Sequence, residues 1–464
     1  MSAKIQPWLA ALAILLSSVA WIGSGATPLA AAESQDWNGT PEQKVWGLMQ
    51  VWGAVKHNFA FFDHVPDLDW DATVQAAIPG VLAADSKDDY YKLLNEIVSQ
   101  LHDGHTFVVA PALRDGTEDS PPVEFQVIED RIILVRAGDT DEIRSQNVRP
   151  GLELVAVGEN VPARQYLHEN ALRYYSGSTK QGGEAFGMFL FLRGPKDSAV
   201  KLTLKDVAGA TGTVTLTRNS ATRDGSTFQF RIRDFSRLVE SRAMGGGIAY
   251  LRLATFDDEG VPAAFDTALD RLDPARLKGM ILDLRYNMGG DDGIAWPVLS
   301  RLIDRPVMGF TWKTREYLPA FASWGKAEAW YQGDTVSVGP STRSRYTGPL
   351  VVLTDPNTMS TSEDFLVPLD YAGRALLVGE ATAGTTGNPI NVRLPGGAIL
   401  RVCSLRCTYP DGREFVGRGV EPDIVVHPTV AGIRANRDEV LEKAIEVLRD
   451  WDGHKGLAAY STAK

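Results

Sequence analysis

A serine stands at the point where a buried strand is predicted to turn into a helix, and this placement suits acyl transfer. The apolar run 351–353 predicts the strand, the turn-forming residues 354–357 end it, and Ser360 precedes an apolar helical segment. Backbone N–H groups and the helix dipole at a helix N-terminus favour negative charge, which an acyl-transfer enzyme needs in order to stabilise its tetrahedral oxyanion. The same serine also has a purely structural interpretation, because Ser360 and Glu363 have the spacing of a capping box.

A histidine far upstream could act as the base for such a serine. His105 follows the helix breaker Gly104 and begins a short β-prone run, residues 106–109. A histidine with the usual pKa of ~6.5 can take a proton from a serine hydroxyl near neutral pH. The alternative is a solvated surface histidine in a loop, and we interpret the neighbouring His102 in that way.

Hydrophobic periodicity divides the chain into units that would position these residues. They are an N-terminal helical unit (33–115), a β-rich domain (121–220), an α/β core (222–430) and a C-terminal helix with its tail (431–464). Thr40 and Pro41 are typical of the first residues of a helix, and they begin the first unit. Repeated strand–helix pairs with apolar strands predict a mostly parallel, buried sheet in the core.

The composition is that of an ordinary globular protein and argues against some classes of partner. The chain has 464 residues, of which 44% are hydrophobic and 23% charged, so it is long enough for two or three domains. Its net charge of -11 and its lack of a basic cluster argue against nucleic-acid binding. Two cysteines, Cys403 and Cys407, and few histidines give little support for a metal site. We interpret these cysteines as buried thiols or as a local disulfide.

The N-terminus has the pattern of a secretory signal peptide. Lys4 supplies a positive charge, the segment 8–22 is almost wholly apolar, and Ala30 to Ala32 offer a small-residue cleavage site. We therefore expect residues 1–32 to be removed near Ala32 and the mature protein to be exported, to the periplasm or out of the cell, without stable membrane insertion. The alternative is an uncleaved anchor, for which the apolar run is short, since a spanning helix needs about 20 residues.

Four short motifs, in this order along the chain, resemble those of one family of serine peptidases. The motifs are Leu101–Thr106 (LHDGHT), Asp283–Gly290 (DLRYNMGG), Ser360–Glu363 (STSE) and Gly419–Asp423 (GVEPD). The family includes C-terminal processing peptidase, tail-specific protease and the tricorn core protease. Between the first and second motifs, residues 149–162 (RPGLELVAVGENVP) resemble the core of a PDZ domain. The resemblance implies a crotonase/ClpP-like spiral α/β catalytic core with an inserted β-rich PDZ-like domain and a small N-terminal helical unit.

The resemblance also implies roles for single residues. Ser360 would be the nucleophile, and His105 would be the base, as in the tricorn-like branch of the family. The oxyanion hole would consist of backbone N–H groups at Gly289 or Gly290 and at Thr361. Glycine suits such positions because its backbone can approach a substrate closely.

The third catalytic position departs from both branches of the family. The processing-peptidase branch has a lysine 25 residues after the serine (385 − 360), where this chain has Thr385, so a Ser–Lys dyad of that form is excluded. The tricorn-like branch has a glutamate where this chain has Val416. Glu414 and Glu421 are close in sequence and are the candidate orienting acids. A dyad with a water or a hydroxyl group as the orienter is the alternative.

The leading hypothesis is an exported serine endopeptidase that hydrolyses peptide bonds through an acyl-enzyme, without a metal or another cofactor. Its partner would be a polypeptide substrate that the PDZ-like domain engages, for instance by its C-terminus. The second hypothesis is a catalytically inactive member of the family that binds peptides or small hydrophobic ligands, and Val416 is the feature that favours it. The oligomeric state does not follow from the sequence.

Overall fold

The computed structural model describes residues 37–221 and 237–454. The predicted signal peptide (1–32) lies outside the described residues, as do the first residues of the predicted core unit and the end of the tail.

The helices of the described residues precede, cover and follow the sheets. In chain order the α-helices are α1 (Pro41–Asn58), α2 (Trp70–Ala83), α3 (Lys87–Ser99), α4 (Asp141–Ser145), α5 (Ala163–Leu167), α6 (Lys180–Leu190), α7 (Val261–Arg271), α8 (Asp292–Ser300), α9 (Pro319–Ser323), α10 (Thr361–Tyr371), α11 (Val430–Arg434) and α12 (Glu439–Arg449). Short 3₁₀ or π-helical turns lie at Phe62–His64, Pro111–Leu113, His168–Leu172 and Pro395–Gly397.

The strands of the described residues fall into several sheets. In chain order the strands are β1 (Phe107–Val109), β2 (Glu118–Asp119), β3 (Val123–Ile128), β4 (Arg131–Ala137), β5 (Glu153–Val157), β6 (Val161–Pro162), β7 (Gly194–Pro195), β8 (Ala199–Lys205), β9 (Thr211–Thr217), β10 (Val239–Ala243), β11 (Ile248–Leu253), β12 (Gly279–Asp283), β13 (Val307–Met308), β14 (Thr311–Glu316), β15 (Ala329–Gln332), β16 (Ser337–Val338), β17 (Leu350–Thr354), β18 (Leu376–Gly379), β19 (Ile390–Arg393), β20 (Ile399–Val402), β21 (Leu405–Thr408) and β22 (Ile424–Val425).

A six-stranded sheet in the order β10-β11-β12-β17-β18-β22 lies at the centre of the α/β core. Strand β10 is antiparallel to its neighbour, and the other five strands run parallel. All residues of β12 and β17 are buried, which is typical of parallel strands covered on both faces. Because the carboxyl ends of parallel strands meet at one edge of a sheet, the loop after β12 and the turn after β17 lie side by side.

The residues of β17 alternate between two apolar clusters. Leu350 and Val352 belong to the large cluster that includes residues of α7, α8 and α10. Val351 and Leu353 belong to a second cluster, which contains the apolar face of the C-terminal helix α12. This alternation follows from the two-residue period of a strand, and it places β17 between two helical layers.

The first N-terminal helix begins where the sequence predicts. Thr40 caps α1, since its hydroxyl oxygen accepts a hydrogen bond from the Gln43 N–H at 3.3 Å. After α3 the chain continues into β1, which pairs with β20 in an antiparallel register that sets Phe107 opposite Arg401. This pairing brings the segment before β1, which contains His105, against the core.

Strands β3, β4, β5, β8 and β9 form a separate sheet in that order, with β6 paired to β5. The apolar cluster of this sheet also contains Met288, Met359 and Ala383 from the core, so its packing extends to the residues beside Ser360. Helix α6 packs against β3, and the Thr179 hydroxyl at its N-terminus donates a hydrogen bond to the Ala383 carbonyl at 2.7 Å. The β-rich unit is therefore attached to the loop that follows β18.

Among the described residues, no helix combines the length and the apolar character that a membrane span requires. The same residues contain no group of three or more His, Cys, Asp or Glu side chains that could hold a metal ion. Cys403 and Cys407 are buried free thiols rather than a disulfide, and burial raises the pKa of each thiol.

Candidate active site

Ser360 lies in a strained turn between β17 and α10. Its backbone has φ +57° and ψ −132°, and such a conformation costs a residue other than glycine on the order of 1–3 kcal/mol. Two acceptors hold its N–H in place, the Thr385 carbonyl at 2.9 Å and Glu363 Oε2 at 3.3 Å. Strained strand-to-helix turns also expose the nucleophilic serine of α/β-hydrolases. The contact with Glu363 is the half of the predicted capping box that the carboxylate supplies.

His105 lies against Ser360, although 255 residues separate them in sequence. Its Nε2 is 3.1 Å from Ser360 Oγ, and its Nδ1 is 2.7 Å from the hydroxyl oxygen of Thr385. Asp103 shapes the preceding turn, because its Oδ1 accepts hydrogen bonds from the His105 N–H at 3.0 Å and from the Thr106 hydroxyl at 2.7 Å. The structure therefore brings the two residues that the sequence analysis singled out into hydrogen-bonding distance.

The surroundings of His105 keep its imidazole neutral. The residue is only 3% exposed. Burial, followed by the positive charge of Arg401, lowers the pKa of His105 to about 3. A neutral imidazole can accept the proton of a serine hydroxyl, whereas an imidazolium cannot. The ring is therefore in its basic form at neutral pH.

The glycine loop after β12 lies directly against the N-terminus of α10. Gly289 has φ +92°, and a Cβ there would lie 2.8 Å from both the Ser360 Cβ and the Thr361 nitrogen. Gly290 accepts a hydrogen bond from the Thr361 hydroxyl at 2.9 Å through its carbonyl. The Gly289 N–H donates to Asn287 Oδ1 at 3.0 Å, so that donor already has an acceptor in this structure. Within the described residues, the N–H groups of Gly290 and Thr361 donate to no protein acceptor.

Thr385 and Glu363 form a hydrogen-bonded network behind the histidine. The Thr385 N–H donates to Glu363 Oε2 at 2.8 Å, and the Gly384 N–H donates to Glu363 Oε1 at 2.7 Å. The Thr382 hydroxyl also donates to Oε1. Burial raises the pKa of Glu363, and the hydrogen bonds from these donors oppose this rise. The net result is a pKa of about 7. Glu363 thus fastens the loop after β18 to the first turn of α10.

The two acids that the sequence analysis named as candidate orienters lie elsewhere. Glu414 forms an ion pair with Arg406, whose Nε donates a hydrogen bond to Glu414 Oε1 at 3.0 Å. Its other oxygen, Oε2, is 3.8 Å from His64 Nε2. Glu421 is exposed. Val416 is 3% exposed and belongs to the main apolar cluster. The group next to His105 Nδ1 is instead a hydroxyl, which was the other alternative.

Two residues of this site, Glu363 and Arg401, were not predicted from the sequence to lie around the Ser360–His105 pair. Glu363 was noticed only as a capping residue, although its place one turn after Ser360 was a signal that it could reach the same loop as the serine. Arg401 carried no sequence signal, because its proximity to His105 follows from the pairing of β1 with β20.

Comparison with known sequences shows that the core is similar to known peptidases. Residues 247–426 match the model of peptidase family S41. The C-terminal processing peptidase of Tetradesmus obliquus is 29% identical over 257 residues, which are 55% of this chain and 52% of that protein. The carboxy-terminal processing protease CtpB of Bacillus subtilis is 20% identical over 373 residues, 78% of this chain and 65% of the relative. A carboxyl-terminal-processing protease of Synechocystis is 22% identical over 452 residues, 95% of this chain and 93% of the relative.

The chain spans about half to two thirds of the length of the first two relatives. Among solved structures, mature CPAF is similar with a TM-score of 0.67 and 17% identity, covering 88% of this chain and 96% of that one. The photosystem II D1 C-terminal processing protease is similar with a TM-score of 0.53 and 21% identity, covering 87% and 97%. At these identities the likeness concerns the fold alone, and it confirms the predicted α/β class.

The matched region contains the glycine loop and Ser360, whereas His105 comes from the N-terminal part of the chain. The resemblance predicted from the four motifs is confirmed. Residues 247–426 of this chain are thus similar to peptidase family S41, and the similar sequences include C-terminal processing peptidases.

Proposed function

We propose that this protein is an exported serine endopeptidase in which Ser360 is the nucleophile and His105 the general base. The observation that carries the proposal is the 3.1 Å distance between His105 Nε2 and Ser360 Oγ, at a strained turn. A nucleophile and a base within hydrogen-bonding reach are the signature of an activated serine. The family and the names of the relatives support the same reaction class.

The reaction follows the logic of a serine acyl transfer. Ser360 Oγ attacks the peptide carbonyl carbon while its proton moves to His105 Nε2, and the carbonyl oxygen becomes an oxyanion. The N–H groups of Gly290 and Thr361 stabilise the oxyanion, and Gly289 shapes the loop that presents them. The imidazolium then gives its proton to the leaving amine as the C–N bond breaks. A water molecule hydrolyses the acyl-enzyme by the same steps in reverse order, so each step uses only protein groups and water.

The substrate is a polypeptide, and the β-rich unit engages it. A groove of about 520 Å³ lies between this unit and the core. Strand β3 and helix α6 line it with Phe125, Met188 and Phe189, and the core lines it with Arg285 and Tyr286. Since β3 ends its sheet, an extended peptide can add to that edge as another strand. Binding of the substrate C-terminus in this groove would deliver the preceding chain to Ser360.

The proposal includes the domain organisation that the resemblance implies. The core, 222–430, is a crotonase-like spiral that carries the catalytic serine, and the PDZ-like domain, 121–220, is inserted between it and the helical unit, 33–115. The signal peptide, 1–32, directs export and is removed near Ala32, and 431–464 form the C-terminal helix and tail. The inactive binding protein is the weaker alternative, because a Ser–His pair in contact has no function in ligand binding alone.

Labelling with a fluorophosphonate probe tests the nucleophile directly. We expect the wild-type protein to be labelled and Ser360→Ala not to be labelled. Ser362→Ala is the matched control, because this neighbouring hydroxyl is fully buried and makes no hydrogen bond within the described residues. Labelling that survives Ser360→Ala, or the absence of labelling in folded wild-type protein, would refute the assignment.

A further inference from the structure

We propose that Thr385, held in place by Glu363, is the residue that orients His105, in the place that a carboxylate occupies in a Ser–His–Asp triad. The proposal rests on the proposed function, since it concerns how the same base is prepared. Both residues are positioning residues, because each acts on the substrate only through His105 or the backbone.

The first observation is the contact between Thr385 and the ring. For His105 to act as a base at Nε2, its proton must reside on Nδ1, and the partner of Nδ1 determines which nitrogen carries it. That partner is the Thr385 hydroxyl oxygen, at 2.7 Å. When Nδ1–H donates to this oxygen, Nε2 presents its lone pair to Ser360 Oγ, 3.1 Å away.

The second observation is that Thr385 is tied to the nucleophile as well as to the base. Its carbonyl accepts the Ser360 N–H at 2.9 Å, and its own N–H donates to Glu363 Oε2 at 2.8 Å. Gly104, next to His105, packs on its side chain, since a Cβ at Gly104 would lie 2.9 Å from the Thr385 hydroxyl oxygen. One residue thus sets the position of the serine backbone and of the imidazole together.

The third observation is the chemistry of the carboxyl group that holds Thr385. Glu363 is fully buried, and the backbone N–H groups of Ser360, Gly384 and Thr385 all point at its oxygens. Backbone N–H groups can only donate, so they match a carboxylate that accepts. A carboxamide at this position would turn its NH₂ group towards some of these donors and would loosen the loop that carries Thr385.

If Thr385 only filled space, removal of its hydroxyl would leave the tautomer of His105 unchanged. The tautomer therefore distinguishes an orienting role from a merely structural one. We would label the histidine rings with ¹⁵N and assign the His105 signals from their absence in His105→Gln. The ring nitrogen shifts then report which nitrogen carries the proton, whether or not the enzyme is active. We expect wild-type protein to hold the proton on Nδ1.

Three substitutions at two neighbouring threonines complete the experiment. In Thr385→Val, which keeps the shape and removes the hydroxyl, we expect a mixed tautomer and a fall in kcat of about 10- to 100-fold, with KM changed less than about twofold. Thr385→Ser should restore the Nδ1–H tautomer and bring kcat to within about threefold of wild type. Thr386→Val is the matched control, because it removes a buried hydroxyl that bonds Asp364 rather than His105. It should leave the tautomer unchanged.

The role of Glu363 is tested by combining substitutions. If Glu363 acts through Thr385, the double variant Glu363→Gln/Thr385→Val should be about as slow as the slower single variant, because coupled residues are not additive. Multiplied losses would show that Glu363 acts independently and would overturn that half of the proposal. Should Glu363→Gln not fold, Glu363→Asp, which keeps the carboxyl group on a shorter side chain, takes its place in the same comparison.

Two results would overturn the orienting role. One is a wild-type His105 with its proton on Nε2, and the other is a Thr385→Val variant with the wild-type tautomer and a kcat within about threefold. Either result would leave the Ser360 labelling experiment untouched. Conversely, loss of the nucleophile assignment would not alter the tautomer measurement, so the two failures can be told apart.

Discussion

The buried, neutral His105 should make folding stability depend on pH in a way that a surface histidine does not. Burial and Arg401 lower the pKa of His105 from its usual 6.5 to about 3 in the folded protein. In acid, the unfolded chain takes up a proton at this residue while the folded protein does not, so protons favour unfolding. The stability that this group contributes is present above pH 6.5 and is lost as the pH falls towards 3.

The size of the effect follows from the two pKa values. Between pH 7.5 and pH 5.0, proton uptake at His105 in the unfolded chain lowers the free energy of unfolding by about 2 kcal/mol. At still lower pH the loss through this residue approaches its full value, on the order of 5 kcal/mol. Glu363 acts in the opposite direction. Burial raises its pKa from 4.5 to about 7, so the folded protein takes up a proton there first, and acid is stabilising between pH 7 and pH 4.5. The total pH dependence of the wild type therefore hides the contribution of His105.

The contribution of His105 is isolated by comparing the pH dependence of unfolding free energy between variants. We would measure urea unfolding of wild type, His105→Gln and His102→Gln at pH 7.5 and pH 5.0. Glutamine does not titrate, so the stability of wild type relative to His105→Gln should fall by about 2 kcal/mol on acidification. His102 is exposed, and His102→Gln is the matched control for replacing a histidine at the surface. A His105 difference that changes by less than about 0.5 kcal/mol would refute the claim that burial keeps this imidazole neutral.

Two further substitutions test the glycine loop after β12 and the groove between the β-rich unit and the core. Gly289→Ala should reduce the rate of fluorophosphonate labelling at least about 100-fold, because φ is +92° and the new Cβ would lie 2.8 Å from the Ser360 Cβ. Gly53→Ala is the control, since a Cβ there has open space. A normal labelling rate in the Gly289 variant would contradict the prediction. Met188→Glu, which places a charge in the groove, should lower kcat/KM for a polypeptide about tenfold without affecting a short peptide ester. Equal losses for both substrates would count against the groove as the polypeptide site.

The features that the sequence predicted correctly are those with a local physical signal. The strand before Ser360 was visible as an apolar run, and the first helix was visible from Thr40 and Pro41, because capping and periodicity depend on residues a few positions apart. The strained backbone of Ser360 was not visible. The Ser360 N–H donates to the Thr385 carbonyl, and the chain brings Thr385 to this place only after another strand.

The identity of the group at His105 Nδ1 shows where such reasoning ends. Spacing in sequence suggested Glu414, but its charge is engaged by Arg406 in an ion pair that also includes Asp63 from the N-terminal unit. Asp63 is 343 residues from Arg406 in sequence, so this three-residue cluster cannot be inferred from a local pattern. Thr385 was visible as the residue at the lysine position of a related branch, yet its contact with the ring depends on how the turn at Gly104 packs against the loop after β18.

In the proposed mechanism, this packing accounts for a histidine base in the place of a lysine base. The side chain of residue 385 points at the space that the His105 imidazole occupies, with 2.7 Å between Thr385 Oγ1 and Nδ1. Gly104 closes the same space from the other side, because a Cβ there would lie 2.9 Å from that oxygen and 3.1 Å from the Thr385 Cγ2. A lysine side chain that followed the direction of the Thr385 hydroxyl would meet the imidazole. In the proposed mechanism, position 385 therefore orients the base that residue 105 supplies, instead of supplying a base itself.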